Sequence, residues 1–230
     1  AVTGYFATLG SDTPPLAYED IELSDLIMHF GHNARESHPI IFWRAADHKR
    51  KKDIPTVVVD PRHTGTAMGY EDINPDNSVH VPILNGDISF LNAIAHVLLK
   101  EHEDVIDWDF VKEHANGWKE YVDGVLADYS PEQVQDRMGG PNHDVSPALI
   151  RKVAGMFADA TRKRLARGKG KQSGGGYGGV IIMWGIGYNQ HIHGQYNVIS
   201  IINLLTLTGN LAKPGCGPFS MTGQPNAMGE

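Results

Sequence analysis

The sequence predicts an α/β fold: a doubly wound, mostly parallel sheet with helices on both faces, followed by the start of an adjoining domain. Several short segments are apolar and unbroken by polar residues, as is typical of strands buried on both faces of a parallel sheet. Each ends in a turn of glycine and polar residues, and most are followed by a segment with helix-like character. Such an order favours a sheet that binds its ligand where the strands end.

The first half of the chain contains three of these strands. Leu26–Phe30 is a short apolar run, and Glu36–Lys52 after it has the composition of a helix with a basic end. Thr56–Val59 is β-branched throughout, whereas Val79–Ile83 is a weaker strand because it contains a proline. The periodic apolar residues of Ile88–Glu101 predict a helix after the third strand.

The second half continues with helices and one further strand. Two helices are predicted over Asp107–His114 and Trp118–Leu126, and a longer one begins at Ser146. Gly179–Trp184 has the character of another buried strand, and Gln195–Leu207 that of the helix after it.

The composition is that of a globular protein. Hydrophobic residues make up 41% of the 230 residues and charged residues 20%, which excludes disorder along the whole chain. No apolar run approaches the roughly 18 residues of a membrane span, so we expect a soluble protein without membrane insertion. A net charge of −7 argues against a protein that binds nucleic acid by neutralising its phosphates.

Four loops are predicted at the edge where the strands end, at residues 31–33, 60–63, 85–87 and 185–191. Glycine lets a ligand phosphate approach main-chain N–H groups, and a carboxylate after a strand can bind a ribose hydroxyl or the N–H edge of a guanine. For any single residue here, a role in the turn is about as well supported as a role in binding. The four loops together favour a nucleotide. An NAD site of the usual kind is not expected, because Asp60 follows Gly31 by 29 residues and the first turn has no G-x-G-x-x-G.

Histidine and cysteine residues give weaker signals. His29-x-x-His32 and His191-x-His193 are accompanied by no cysteine or carboxylate cluster, so we predict no metal site in this chain. In a strand, the first pair would point to opposite faces. Cys216 lies in a Gly/Pro turn, where a packed thiol is expected rather than a nucleophile.

Four stretches of the sequence carry a resemblance to a known family: GSDTPPLAYED (Gly10–Asp20), GYNQHIHG (Gly187–Gly194), LTGNLAKPGCG (Leu207–Gly217) and SMTGQPNAMG (Ser220–Gly229). They resemble the molybdopterin-guanine-dinucleotide oxidoreductases, most closely the nitrate reductase catalytic subunits. The T-G-Q-P-N-A-M-G run is the most specific. The resemblance covers essentially all 230 residues. Because those subunits are several times longer, it implies an internal fragment.

The resemblance implies cofactor-binding residues in the same four loops. They are Gly31, His32, Asn33 and Glu36 in the first loop, Asp60, Pro61, Arg62 and His63 in the second, Asn85, Gly86 and Asp87 in the third, and Ile186, Gly187 and Gln190 in the fourth. Gln224 in the last motif is implied as a catalytic residue near the metal end of the cofactor.

The implied chemistry is the reduction of nitrate to nitrite, with an electron-donor protein or domain as partner. The implied cofactors are a molybdopterin guanine dinucleotide with molybdenum and a 4Fe-4S cluster in a missing N-terminal part. The family's molybdenum-ligating cysteine is expected a few residues before Ala1, so this segment alone is expected to be inactive. Assimilatory enzymes of this kind are cytoplasmic and related respiratory ones periplasmic; we expect the cytoplasm.

The resemblance also implies three parts of the chain. Residues 1–15 form the end of a preceding domain, 16–207 the dinucleotide-binding α/β domain, and 208–230 the start of the adjacent cofactor-binding domain. Two alternative functions stay open at this stage: a formate dehydrogenase-like oxidoreductase, and a non-catalytic nucleotide-binding module.

Overall fold

A five-stranded sheet forms the centre of the structure, a computed structural model that describes residues 1–138, 145–167, 177–221 and 223. Neighbouring strands all pair in parallel, in the order β3-β2-β1-β4-β5. The strands are β1 (Leu26–Phe30), β2 (Thr56–Val59), β3 (Ser78–Val81), β4 (Val180–Trp184) and β5 (Gly217–Ser220).

The sheet is wound in two directions from its central strand. Met28 in β1 pairs with Val57 on one side and with Ile182 on the other. The chain first proceeds outward from β1 through β2 to β3, and then returns to place β4 against the opposite edge of β1. In open α/β sheets the crevice at this reversal point is the usual place for a ligand.

Helices cover both faces of the sheet. They are α1 (Val2–Leu9), α2 (Ala34–Ser37), α3 (Pro39–Lys52), α4 (Gly65–Glu71), α5 (Asp87–Glu101), α6 (Trp108–His114), α7 (Trp118–Asp128), α8 (Pro131–Met138), α9 (Pro147–Ala166), α10 (Ile186–Asn189) and α11 (Gly194–Leu207). Alternate residues of β1 enter two separate hydrophobic cores. Met28 and Phe30 pack with α5, α9 and α11, and Ile27 packs with α3 and α4. The predicted fold class is therefore confirmed. Among the described helices, none combines the length and apolar character needed to cross a bilayer.

The structure differs from the predicted elements in several places. The helix predicted over residues 36–52 is divided at His38, which ends α2 and precedes Pro39, the first residue of α3. Proline is favourable at this first position because its missing N–H would have no partner there. Helices α1, α4, α8 and α10 and strand β5 were not predicted.

Both ends of the described chain contact the central domain. Tyr5 in α1 is fully buried, its ring lies 5.5 Å from that of Trp184, and its hydroxyl oxygen accepts a hydrogen bond from the Ser220 backbone N–H at 3.2 Å. Residues 217–220 lie within the predicted start of an adjacent domain and pair with β4. Whether the chain enters a second domain after this strand stays a prediction.

Candidate functional site

The first and fourth loops meet backbone to backbone at the reversal point of the sheet. Gly31 has φ +50°, and a Cβ there would lie 2.5 Å from the carbonyl carbon of Gly187. A Cβ at Gly185 or Gly187 would lie 2.8 Å from the Gly31 carbonyl oxygen. Glycine is therefore required at these three positions by the contact between the loops, whatever the loops bind.

The rest of the first loop is braced by α4. The side-chain oxygen of Asn33 accepts hydrogen bonds from the backbone N–H of Thr66 at 3.3 Å and from its hydroxyl at 3.0 Å. The hydroxyl oxygen of Thr66 in turn accepts from the backbone N–H of Arg35 at 2.9 Å. Glu36 is close to the start of α4, since a Cβ at Gly65 would lie 3.1 Å from its carboxylate. The side-chain oxygen of Asn33 is therefore already engaged in hydrogen bonds within the protein.

His32 is buried, and both of its ring nitrogens are engaged. Nδ1 lies 3.0 Å from Nδ1 of His29, and Nε2 lies 3.0 Å from Nδ1 of His38. His29 and His32 would point to opposite faces only if both lay in a strand, and His32 does not, because β1 ends at Phe30 and Gly31 adopts the left-handed conformation. Burial first, and then the neighbouring His29 and His38, hold the pKa of His32 well below its usual value.

In the second loop only Asp60 is buried. Its carboxylate accepts a hydrogen bond from the backbone N–H of Arg62 at 2.9 Å, and its carbonyl oxygen accepts one from Nε2 of His80 at 2.8 Å. Pro61, Arg62 and His63 are exposed, and Nε2 of His63 lies 2.8 Å from the carboxylate of Glu71. The second loop therefore offers one buried carboxylate at the edge of the sheet.

The third loop borders a cleft of about 380 Å³, and the N-termini of two helices lie at this cleft. The cleft is lined by Asn85, Gly86, Asp87, Ile88, Ser89, His191, Ile192, His193 and Asn197. The first three residues of α5 belong to this lining, as do the three residues before Gly194, the first of α11. A helix N-terminus presents unpaired N–H groups and the positive end of the helix dipole. Two such ends at one cleft form a site suited to a phosphate or another anion.

Asp87 stands in this cleft without a pairing cation on its own helix turn. Burial raises the pKa of its carboxyl group, the nearby His191 opposes this rise, and the negative charge of Asp60 adds to it. A desolvated carboxylate gains free energy when a ligand donates hydrogen bonds to it. Asp87 therefore has the properties of an acceptor for a sugar hydroxyl or a base N–H.

Hydrogen bonds between Tyr188 and Asn197 fix the conformation of the fourth loop. The Tyr188 hydroxyl donates to the carbonyl oxygen of Asn197 at 2.6 Å, and the Asn197 amide donates back to the Tyr188 carbonyl oxygen at 2.9 Å. Within the described residues, the buried side-chain oxygen of Asn189 has no hydrogen-bond partner. Ile186 and Gln190 are exposed on this loop.

The structure brings only part of the predicted site to one cleft. Asn85, Gly86 and Asp87 line it, and Asp60 is near enough to influence Asp87. The other predicted residues of the described chain form or flank the neighbouring loops, and Gln224 lies outside the described residues.

Sequence reasoning missed Ile88, Ser89, Ile192 and Asn197 and set His191 and His193 aside. The starts of the two predicted helices could have indicated this part of the site. Within the described ranges, no group of three or more His, Cys, Asp or Glu residues is arranged to hold a metal ion.

Comparison with known proteins gives matches along the whole chain. The sequence profile of the family described as Molybdopterin oxidoreductase matches residues 7–229. A protein named nitrate reductase from Synechocystis sp. is 36% identical over 231 residues, and one named formate dehydrogenase H from Escherichia coli is 32% identical over 230 residues. Each match covers 100% of this chain and 28% of the relative, so the chain spans little more than a quarter of their length.

A solved structure shows a similar fold. Acetylene hydratase from Pelobacter acetylenicus superimposes with a TM-score of 0.67 at 19% sequence identity, over 90% of this chain and 24% of that one. At this identity the likeness concerns the fold alone.

Proposed function

Because this chain belongs to the molybdopterin oxidoreductase family, we propose that it is the part of a molybdenum oxidoreductase that binds a molybdopterin guanine dinucleotide. The observation that carries the proposal is the cleft at which α5 and α11 both begin, with Asp87 in its wall. Pyrophosphate, sugar and guanine together need an anion site, a hydrogen-bond acceptor and space, and the cleft offers all three.

The donor and acceptor groups of the site fit this cofactor. The N-termini of α5 and α11 would hold the phosphates. Asp87 would accept hydrogen bonds from the guanine or its ribose, and the unpartnered oxygen of Asn189 would accept another from the ligand. When bound, the cofactor supplies the redox-active molybdenum.

The contact between the first and fourth loops would form a rigid side of the cofactor site. Since Gly31 and Gly187 pack backbone against backbone, the two loops cannot move apart without loss of that contact. Gln190 is exposed on the fourth loop, and its amide can donate and accept hydrogen bonds at a pterin edge. We assign Gln224 to the metal end of the site on the resemblance of its motif.

The proposed reaction of the complete protein is the reduction of nitrate to nitrite, with electrons from a donor protein or domain through a 4Fe-4S cluster. The 36% identity to a nitrate reductase supports this substrate. A formate dehydrogenase-like activity is the second candidate, supported by the 32% identity to formate dehydrogenase H. We propose nitrate assimilation in the cytoplasm as the setting.

The proposal is tested on the purified full-length protein. Molybdenum, iron and guanine nucleotide are measured per protein chain, and the reduction of nitrate and the oxidation of formate are assayed with artificial redox dyes. Molybdenum with guanine nucleotide and nitrite formation support the proposal. Protein that is replete with molybdenum but free of guanine nucleotide contradicts it, and formate oxidation without nitrite formation selects the second candidate.

A further inference from the structure

A second pocket lies between three helices, separate from the cleft described above. It has a volume of about 140 Å³ and lies between the end of α6, the first turns of α7 and the last turns of α11. We call it the α7 pocket, and its lining consists of Val111, Ala115, Asn116, Gly117, Trp118, Tyr121, Val122, Asn203, Thr206 and Leu207. None of these residues lines the cleft. Asn203 follows Asn197 of the cleft by six residues, a rise of about 9 Å along α11.

Most of the wall of the α7 pocket is apolar. The side chains of Val111 and Leu207 are buried, and the indole of Trp118 is partly buried. Tyr121 contributes its ring, because its hydroxyl already donates to the side-chain oxygen of Asn92 at 3.2 Å. Aliphatic and aromatic walls of this kind favour a ligand with an apolar, planar body.

One side of the α7 pocket is polar. Asn203 and Thr206 are three residues apart on α11 and therefore share one face of this helix. Both are partly buried, and within the described part of the chain neither the Asn203 amide nor the Thr206 hydroxyl has a hydrogen-bond partner. An amide side chain can donate and accept at once. The pocket thus offers a donor and an acceptor beside its apolar walls.

The charge and the size of the α7 pocket limit what it can hold. None of its ten lining residues is charged, so an ionic ligand would lose its hydration without gaining a partner of opposite charge. A cavity of about 150 Å³ holds benzene, so a volume of about 140 Å³ suits a single six-membered ring. Asn116 and Gly117 are exposed, which opens the pocket to solvent on their side.

We propose that the α7 pocket is a second binding site of this chain, for a neutral six-membered ring in which an N–H donor adjoins a carbonyl acceptor. The ring lies against Tyr121 and Leu207. The Asn203 amide donates to the ligand carbonyl and accepts from the ligand N–H, and the Thr206 hydroxyl donates to the same carbonyl. A ring without these groups strips Asn203 of water without replacing its hydrogen bonds, and therefore binds less tightly. Binding at this pocket does not depend on the cofactor proposed above.

Three test ligands of similar size examine this chemistry on the purified full-length protein. 2-Pyridone carries the N–H beside the carbonyl, benzene carries neither, and benzoate adds a charge. In a titration followed by saturation-transfer NMR we expect 2-pyridone to bind with a dissociation constant on the order of 1 mM. We expect benzene to bind about tenfold more weakly and benzoate not to bind. No saturable binding of 2-pyridone up to about 10 mM, or equal affinity for benzene or benzoate, overturns the proposal.

Variants locate the binding in the α7 pocket. Asn203→Leu keeps the size of the side chain and removes its polar atoms, so we expect 2-pyridone to bind about tenfold more weakly and benzene to become the preferred ligand. Ala115→Leu fills part of the pocket and should weaken the binding of both rings. The matched Ala127→Leu, at an exposed position of α7 outside the lining, should change neither.

The reversal of ligand preference in Asn203→Leu decides the outcome even if Ala115→Leu does not fold. An unchanged preference for 2-pyridone in folded Asn203→Leu, or an equal loss of binding in Ala127→Leu and Ala115→Leu, overturns the proposal.

Discussion

At the scale of single residues, Asp87 is a partly buried carboxylate in the wall of the cleft, at the first position of α5. Its carboxyl group is largely desolvated, and its pKa is raised by that burial. In the cofactor-free protein this burial opposes folding, because the charged form is disfavoured there. In the proposed function, hydrogen-bond donors of the cofactor would offset this free energy when they reach the carboxylate.

Asp87→Asn therefore has effects of opposite sign on folding and on binding. We expect the cofactor-free variant to be at least as stable as the unmodified protein in urea unfolding, and its cofactor affinity to fall by about tenfold to hundredfold, as for loss of a charge-assisted hydrogen bond. Guanine and molybdenum content are measured after gel filtration, with the exposed Asp109→Asn as control. Full retention in Asp87→Asn would remove Asp87 from the binding site.

The buried histidines predict how stability depends on pH. His29 and His32 have folded-state pKa values below that of an unfolded histidine, so the unfolded chain takes up protons first as the pH falls. Their contribution is complete above about pH 6.5 and is lost as the pH falls below it toward the folded-state values. Between pH 7.5 and 5.5 we therefore expect stability to fall, by on the order of 1 kcal/mol for each group.

Urea unfolding at several pH values checks this expectation. His29→Gln should lose about half of the pH dependence, while His114→Gln, at an exposed side chain, should keep all of it. A pH dependence that is the same in His29→Gln as in the unmodified protein would show that His29 is not neutral in the folded state.

At the scale of elements, the first and fourth loops can approach each other closely only because glycine occupies the positions where they meet. Gly31→Ala places a methyl group 2.5 Å from the backbone of Gly187 in addition to straining a positive φ, whereas Gly117→Ala strains a φ of +69° in open space. The strain alone costs about 1–2 kcal/mol. We expect Gly117→Ala to lose about that amount, and Gly31→Ala to lose several kcal/mol or to displace the fourth loop.

Thermal and urea unfolding of the two variants separate strain from contact. If Gly31→Ala and Gly117→Ala are destabilised to the same extent, the close approach of the two loops is not maintained in solution.

The elements also show which parts of the fold a sequence reveals. Strands β1, β2 and β4 were predicted because burial on both faces demands an uninterrupted apolar run. Strand β5 was missed since its sequence GPFS contains glycine and proline, and only pairing with β4 makes it a strand.

The candidate site was predictable to the same degree. Its loops could be located, since each follows a predicted strand and carries glycine or a carboxylate. The contacts of His32 with His29 and His38 could not be predicted, because they depend on the left-handed turn at Gly31, for which a sequence pattern gives no direction.

At the scale of the whole molecule, one ion pair lies where the strands β1 and β4 begin, at the end of the sheet opposite the cleft. The carboxylate of Asp25, next to β1, bonds both terminal nitrogens of Arg167 at 2.6 Å and accepts the Gly179 backbone N–H at 2.8 Å. It thereby connects the end of α9 to the beginnings of β1 and β4. Since Arg167 is partly exposed, removing one partner of this pair costs less than it would for a fully buried pair.

Asp25→Asn is expected to lower the free energy of unfolding by about 1–3 kcal/mol, because the buried carboxylate of Asp25 loses its charge-assisted hydrogen bonds. The matched variant is Asp104→Asn, whose carboxylate pairs with Arg162 at 2.6 Å on the surface and should cost less than about 1 kcal/mol. Urea unfolding measures both. Equal losses would show that the pair at Asp25 acts as an ordinary surface pair.

The reversal point of the sheet also determines the order in which the chain can fold during synthesis. Leu26 in β1 pairs with Val180 of β4, so one edge of the central strand has no partner until the ribosome has passed that residue. At about 5–20 residues per second the delay is roughly 8–30 s. Once β3 has been made, which leaves roughly 5–20 s of this interval, β1, β2 and β3 can form a nascent half-sheet whose open, apolar edge can recruit strands of other chains. Slow translation between β3 and β4 prolongs the exposure of this edge.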